Sequence, residues 1–217
     1  MNAQQRQCDV SYDLNVFTKD FTNQTFPSIK AKLLEMGLDC DFHPDAIKGN
    51  KLPSGFLPMR MKVLQSGTKQ YDEFQGDILT GFEMRTTSFN YEEEKAQEAT
   101  TPRPVERQNF FQKLFSSPKP AGENDLGHLS GAIEARLATF DQNVSITCGQ
   151  KHASEVRMAL YFAVALADLT SGVVCDNYKG HYYLAADAAK HLAEMVGDYE
   201  RSLHPPAWKM QSFIGWH

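Results

Sequence analysis

The stretch that decides the fold is Ala153–Leu169, ASEVRMALYFAVALADL, which is apolar nearly all the way round at helical spacing. A helix that is apolar on every side is buried, so this stretch predicts the central helix of the core. Thr170-Ser171-Gly172 ends it, because Gly is common just past a helix C-terminus. Arg157 and Asp168 interrupt the run, which falls short of the ~18 apolar residues of a membrane span. We therefore expect no membrane partner.

The residues around this helix predict a helix-rich α-β-α-β-α half over 126–217. Leu129–Leu137 has helical spacing, and Val144–Cys148 alternates apolar and polar residues as a strand does. The turn Asn177–Gly180 lies between two short apolar runs and favours a hairpin. A last helix runs through Leu184–Tyr199.

The first 90 residues predict a β-α-β-β-β sheet layer covered by one helix. The elements are strands at Val10–Val16, Leu38–Phe42, Leu57–Val63 and Ile78–Ser88, with a helix that ends at Gly37. A turn separates the last two strands, so we expect them to pair antiparallel. The whole chain is thus expected to be α+β.

Residues 91–125 change character and predict a linker or a long excursion between subdomains 1–90 and 126–217. The alternative is that the two subdomains pack together as one domain. Pro and Ser punctuate the segment. It carries an aromatic island, Phe110–Phe115, which fits either a short docked helix or an exposed anchor for a partner.

Composition indicates a globular cytoplasmic protein. The chain has 217 residues, of which 41% are hydrophobic and 23% charged. Four scattered cysteines do not suggest a disulfide scaffold. The first seven residues lack the apolar core of a signal peptide.

The net charge of −5 is concentrated in one window. Residues 66–100 hold three basic and eight acidic side chains, a local charge of −5. The window fits a solvated acidic loop, or an acidic surface that steers a basic partner. No basic stripe is present to neutralise phosphates, so nucleic-acid binding is disfavoured.

Cysteine and histidine spacings raise two catalytic or metal-binding alternatives. Cys148 precedes the central helix, whose N-terminus would lower its pKa, and His152 lies one turn later as a possible base. Asp176 or Glu155 would orient that base. The alternative for this thiol, and for Cys40, is a packed core residue, and without a CxxC pair we expect no zinc site.

Strand alternation places Asp39, Asp41 and His43 on one side of a strand, where they would hold a divalent cation or simply face solvent. Phosphate-binding glycine motifs are missing from the sequence. We expect no cofactor and no metal.

The segment Ala153–Tyr183 resembles immunity proteins of polymorphic and type VI secretion toxins. The shared pattern is an Ala-rich helix, then Leu-Ala-Asp-Leu-Thr-Ser-Gly-Val-Val, then a tyrosine-rich turn. Phe42-His43-Pro44 and Ser54-Gly55-Phe56-Leu57-Pro58 have a similar character. The resemblance implies a stoichiometric inhibitor without catalytic residues, which occludes or distorts the active site of a toxin.

The leading hypothesis is therefore a non-catalytic immunity protein, a monomer or a small homo-oligomer, whose partner is a basic toxin acting on nucleic acid or nucleotides. The predicted contact surface is acidic with aromatic anchors: Asp72, Glu73, Asp77, Glu83, Tyr91, Glu92, Glu93, Glu94, Tyr178 and Tyr182. The alternatives are an enzyme that uses Cys148 and His152, and a structural or adaptor protein.

Overall fold

The computed structural model describes residues 11–49, 51–64, 77–100, 129–150 and 152–202. Two single-turn 3-10 helices, Asn23–Thr25 and Pro44–Ala46, accompany the main elements. In chain order the main elements are β1 (Ser11–Thr18), α1 (Phe26–Glu35), β2 (Leu38–Phe42), β3 (Gly55–Val63), β4 (Ile78–Ser88), α2 (Tyr91–Thr100), α3 (Gly131–Leu137), β5 (Gln142–Gly149), α4 (Ala153–Thr170), β6 (Val173–Asp176), β7 (His181–Leu184) and α5 (Ala185–Ser202).

The strands of the described residues form one seven-stranded sheet in the order β2-β3-β4-β5-β1-β6-β7. Every neighbouring pair is antiparallel, including β3 with β4, as the sequence predicts. The first strand of the chain lies between β5 and β6, so both parts of the chain contribute to the same sheet. The predicted α+β class is confirmed.

The central helix α4 packs across one face of the sheet, against β4, β1 and β5, with α1 and α5 beside it. Nearly all of its side chains are buried, as the apolar run predicts. Ser171 ends the helix in the left-handed conformation, at φ 51°. A Cβ on Gly172 would lie 2.7 Å from the carbonyl oxygen of Phe17, so only glycine fits this tight exit.

The opposite face of the sheet is covered only at one end within the described residues. There α2 and α3 pack on a second apolar cluster that includes Phe17, Phe89, Leu137 and Val173. Towards the other end this face is polar. We call it the open face; on β1, β4 and β5 it presents Asp13, Asn15, Glu83, Arg85, Ser145 and Thr147.

The helix α2 replaces the beginning of the predicted linker. The side-chain oxygen of Asn90 accepts the backbone N–H groups of Glu92, at 3.1 Å, and Glu93, at 3.4 Å, and so caps the helix. Residues 101–125, with the aromatic island Phe110–Phe115, lie outside the described residues. Among the helices that the structure describes, none combines the length and apolar character needed to cross a membrane.

Candidate functional site

The first turn of α2 presents three consecutive carboxylates, Glu92, Glu93 and Glu94, all exposed. Their position suits them, because negative charge is stabilised at a helix N-terminus. The nearest cation along the chain, Lys95, forms an ion pair of 2.9 Å with Glu134 of α3. Lys95 is thereby held towards α3.

Glu83 adds a fourth exposed carboxylate on the open face. Its cross-strand neighbours are Phe56 in β3 and Thr147 in β5, and Asp13 lies beyond Thr147 in the same row. The five residue steps from Glu83 to Ser88, the end of β4, span about 17 Å, since a strand rises roughly 3.4 Å per residue. We call Glu83 and Glu92–Glu94 the acidic side.

The other predicted acidic residues contribute less. Asp77 is exposed, with its carboxylate 3.9 Å from the guanidinium of Arg60. Asp72 and Glu73 lie outside the described residues. Only part of the predicted acidic window can therefore be placed on a surface.

The three predicted tyrosine anchors are held by the protein's own packing. Tyr91 is only 5% exposed, and its hydroxyl donates to Glu134 at 2.7 Å. Tyr182 is half-buried and stacks on Phe17 with the ring centroids 6.1 Å apart. Tyr91 therefore cannot present its ring to a partner, and Tyr182 already packs against the second apolar cluster.

The third tyrosine, Tyr178, is half-buried in the turn between β6 and β7. Its ring stacks on Tyr12 at 5.1 Å, and its hydroxyl donates to the carbonyl of Ser11 at 2.9 Å. The side chain of Gln150 in turn donates to this hydroxyl at 3.0 Å. Tyr178 thus fastens the turn to β1 and to the end of β5.

The structure gives no support to Cys148 as a nucleophile. The thiol is 3% exposed, and burial, reinforced by the nearby Glu155 carboxylate, raises its pKa well above the ordinary range. The thiolate is the reactive form, so this environment suppresses reactivity. His152 lies at the N-cap position of α4. Cys40 is likewise a core residue, and burial raises its pKa to about 12.

The residues of the possible cation site are already engaged. The carboxylate of Asp41 accepts hydrogen bonds from Lys30 and from Arg60, and these contacts hold its pKa below the usual range. His43 is buried, and its Nδ1 accepts the backbone N–H of Asp45 at 3.3 Å. Asp39 is exposed. Across the described ranges, no group of three or more acidic, histidine or cysteine side chains is placed to hold a metal ion.

The sequence suggests Asp176 only as a group that would orient His152, and it does not predict the buried polar cluster around the β6–β7 turn. Asp176 is fully buried, and burial raises the pKa of its carboxyl group despite opposing hydrogen bonds. Tyr12 is buried beside it, and burial followed by the charge of Asp176 raises the pKa of its hydroxyl. The only hint in the sequence is the acid at the end of the apolar run Val173-Val174-Cys175.

The same region ties the last helix to the sheet. Gln150 donates to the carbonyl of Ser11 at 2.9 Å, and its own carbonyl accepts the hydroxyl of Tyr199 on α5. Nearby, α4 and α5 are joined by a buried ion pair between Arg157 and Glu200. These contacts make the end of the molecule around Gln150 a dense polar junction between β1, β5, the turn, α4 and α5.

Comparison with known proteins assigns no relative to the chain. No family model, no curated protein and no solved structure matches it. Function is therefore inferred from the described residues alone.

Proposed function

We propose that this protein is a non-catalytic binding protein of the immunity type, which acts in the cytoplasm and neutralises a bacterial toxin by occluding its active site. The observation that carries the proposal is the acidic side, Glu83 and Glu92–Glu94, exposed on the side of the sheet opposite α4. Standard interfaces bury ~800 Å² on each partner, and the roughly 17 Å between Glu83 and the end of β4 fits within such a footprint.

The charge of this side supports a basic partner. Among the residues that the structure describes, its four carboxylates outnumber the two cations beside them, Arg85 on the open face and Lys95, held by Glu134. A toxin that grips nucleic acid carries a basic phosphate channel, and carboxylates on a rigid surface compete for it. Complementary charge accelerates association and makes its rate depend on salt.

The enzyme alternative has weaker support, because the buried Cys148 thiol has a raised pKa. An adaptor would bind through the same surface, and its effect on the partner's activity distinguishes it from an inhibitor. An adaptor binds its partner without abolishing the partner's activity, whereas an immunity protein blocks it.

The decisive experiment is capture of partners from the native cell by the tagged chain, identified by mass spectrometry. One variant reverses the acidic side, E92K/E93K/E94K. The matched control, E35K/D187K/E194K, reverses three exposed carboxylates on α1 and α5, on the other side of the sheet.

We expect one basic protein to be retained by the wild type and by the matched control, and lost from the acidic-side variant. Stoichiometric wild-type chain should then abolish that protein's toxicity or nuclease activity. If both variants retain the partner equally, the acidic side is not part of the interface. If the bound partner keeps its activity, the protein is an adaptor and the inhibitor hypothesis is wrong.

A further inference from the structure

The carboxyl group of Asp176 is fully buried where β6 enters the turn to β7. Its Oδ1 accepts the backbone N–H groups of Tyr178, at 2.9 Å, and Lys179, at 3.2 Å. Its Oδ2 is buried too, but has no hydrogen-bond partner that satisfies distance and angle. A buried polar atom left in this state costs free energy, so its presence calls for an explanation.

The surroundings of Asp176 favour a neutral group. Its cross-strand neighbours are Leu14 in β1 and His181 in β7. The hydroxyl of Tyr12, close enough to perturb the carboxyl group, donates weakly to the sulfur of Met195 at 3.8 Å. An ionised carboxylate in such a site is expensive, whereas a protonated carboxylic acid is neutral and gains a donor at Oδ2.

The titratable groups near Asp176 come from every element packed against it. They are Tyr12 on β1, with Cys148 of β5 behind it, Cys175 on β6, Lys179 in the turn, His181 and Tyr183 on β7, and His191 on α5, whose ring packs on Tyr183 at 4.9 Å. The backbone amides of Lys179 and Tyr178, the hydroxyl of Tyr12 and the charge of Lys179 all favour the ionised form of Asp176. Burial opposes them and is the larger effect, so the pKa of Asp176 is raised.

We propose that Asp176 is a proton-controlled latch of the β6–β7 turn: the neutral acid keeps the turn closed on β1 and β5, and ionisation at raised pH opens it. In the step itself, the O–H bond at Oδ2 breaks and the proton passes to water. The carboxylate is then hydrated by opening of the turn, because a closed turn would leave its charge buried. This inference stands independently of the proposed function.

Opening has a defined structural consequence. The turn carries Tyr178, whose ring lies on Tyr12 and whose hydroxyl reaches Ser11 and Gln150. Release of the turn separates these contacts and uncovers the rim of the main core at β1. The backbone amides of Tyr178, Lys179 and Gly180 report this opening, since all three are hydrogen-bonded to Asp176 in the closed turn.

The test is a pH titration of the full chain labelled with 13C at the aspartate carboxyl carbons, combined with amide hydrogen exchange over the same pH range, from the ordinary aspartate value upward. Asp176→Asn identifies the resonance and mimics the neutral acid in shape. In the wild type we expect the Asp176 signal to titrate above the ordinary aspartate value of ~3.9. Protection of the three turn amides should fall about tenfold per pH unit between that ordinary value and the pH at which Asp176 titrates, because one proton is linked to opening over this range.

The controls separate the latch from a general loss of structure. Asp176→Asn should keep its protection factors constant over the same series, while Asp187→Asn, at an exposed site on α5, should behave as the wild type. H181Q/H191Q should also follow the wild type, which excludes the two histidines as the source. If Asp176 titrates near the ordinary value, or if Asp176→Asn loses protection in parallel with the wild type, the proposal is overturned. If Asp176→Asn does not fold, the Asp176 resonance of the wild type is assigned by correlation with its backbone signals. The pH at which that resonance titrates then decides for or against the proposal.

Discussion

Arg157 of α4 and Glu200 of α5 form a bidentate ion pair, with both nitrogen–oxygen distances at 2.7 Å and each side chain only 2% exposed. Removal of one partner strands the other charge in the core. We therefore expect Arg157→Met to lower the free energy of unfolding by about 3–5 kcal/mol. Urea denaturation measures the loss.

Two further variants test whether the charge is the cause. R157M/E200L removes both charges and should recover much of the stability, because apolar replacements of buried pairs are often neutral or better. Asp198→Asn breaks the exposed pair with Arg201 and should cost under about 1 kcal/mol. Equal losses in Arg157→Met and Asp198→Asn would contradict this account of the junction.

Gly81 in β4 has no space for a side chain. A Cβ there would collide with the carbonyl oxygen of Leu57 and lie 2.5 Å from the ring of Phe56. Gly81→Ala should destabilise the protein by roughly 1–3 kcal/mol, the usual cost of overpacking. Gly131→Ala, at the start of α3 with nothing within 4 Å, is the matched control and should be neutral or stabilising. Thermal melts compare them, and equal shifts would refute the steric argument.

The Cys148 thiol should be inert in the folded state. Because it is buried and its pKa is raised, iodoacetamide should modify it only as fast as the protein opens. Peptide mass spectrometry after timed labelling, with and without urea, measures the rate. If Cys148 in the folded protein is modified at the rate of a free thiol, the prediction is wrong and the hypothesis of a nucleophilic Cys148 is supported.

Asp41 should make stability weakly dependent on pH in the acid range. Its pKa is lowered in the folded protein by Lys30 and Arg60, so its stabilisation is complete above the unfolded value of ~3.9 and disappears as pH falls through the folded value. The group is partly exposed, which limits the effect to about 1 kcal/mol or less. The stability gap between wild type and Asp41→Asn should close in acid. A stability gap between wild type and Asp41→Asn that stays constant with pH would contradict the assignment.

The fold was largely predictable because local periodicity reports burial. Alternation along Leu38–Phe42 predicts a strand with one buried face, and the nearly all-round apolar surface of Ala153–Leu169 predicts a buried central helix; the structure has both. The insertion of β1 between β5 and β6 was not predictable, since strand order depends on pairing across more than 120 residues.

The site was less predictable, for a related reason. Exposure of Glu92–Glu94 follows from composition, but burial of Tyr91 follows from a tertiary contact with Glu134 that no spacing reveals. The partners of Asp176 and Arg157 are likewise brought together only by the folded sheet and α5. In the sequence, the one sign of these contacts is a charged residue within an apolar run. Such a residue indicates a buried polar contact, but it does not indicate the role of that contact.

The central claim is that the acidic side recruits a basic partner. Stopped-flow association of the captured partner with the wild type, with E92K/E93K/E94K and with E35K/D187K/E194K, each over a series of salt concentrations, tests it most directly. The account predicts that the acidic-side variant associates at least about tenfold more slowly at low salt, with a flatter salt dependence, while the matched control follows the wild type. Identical rates and salt slopes for all three proteins would contradict it.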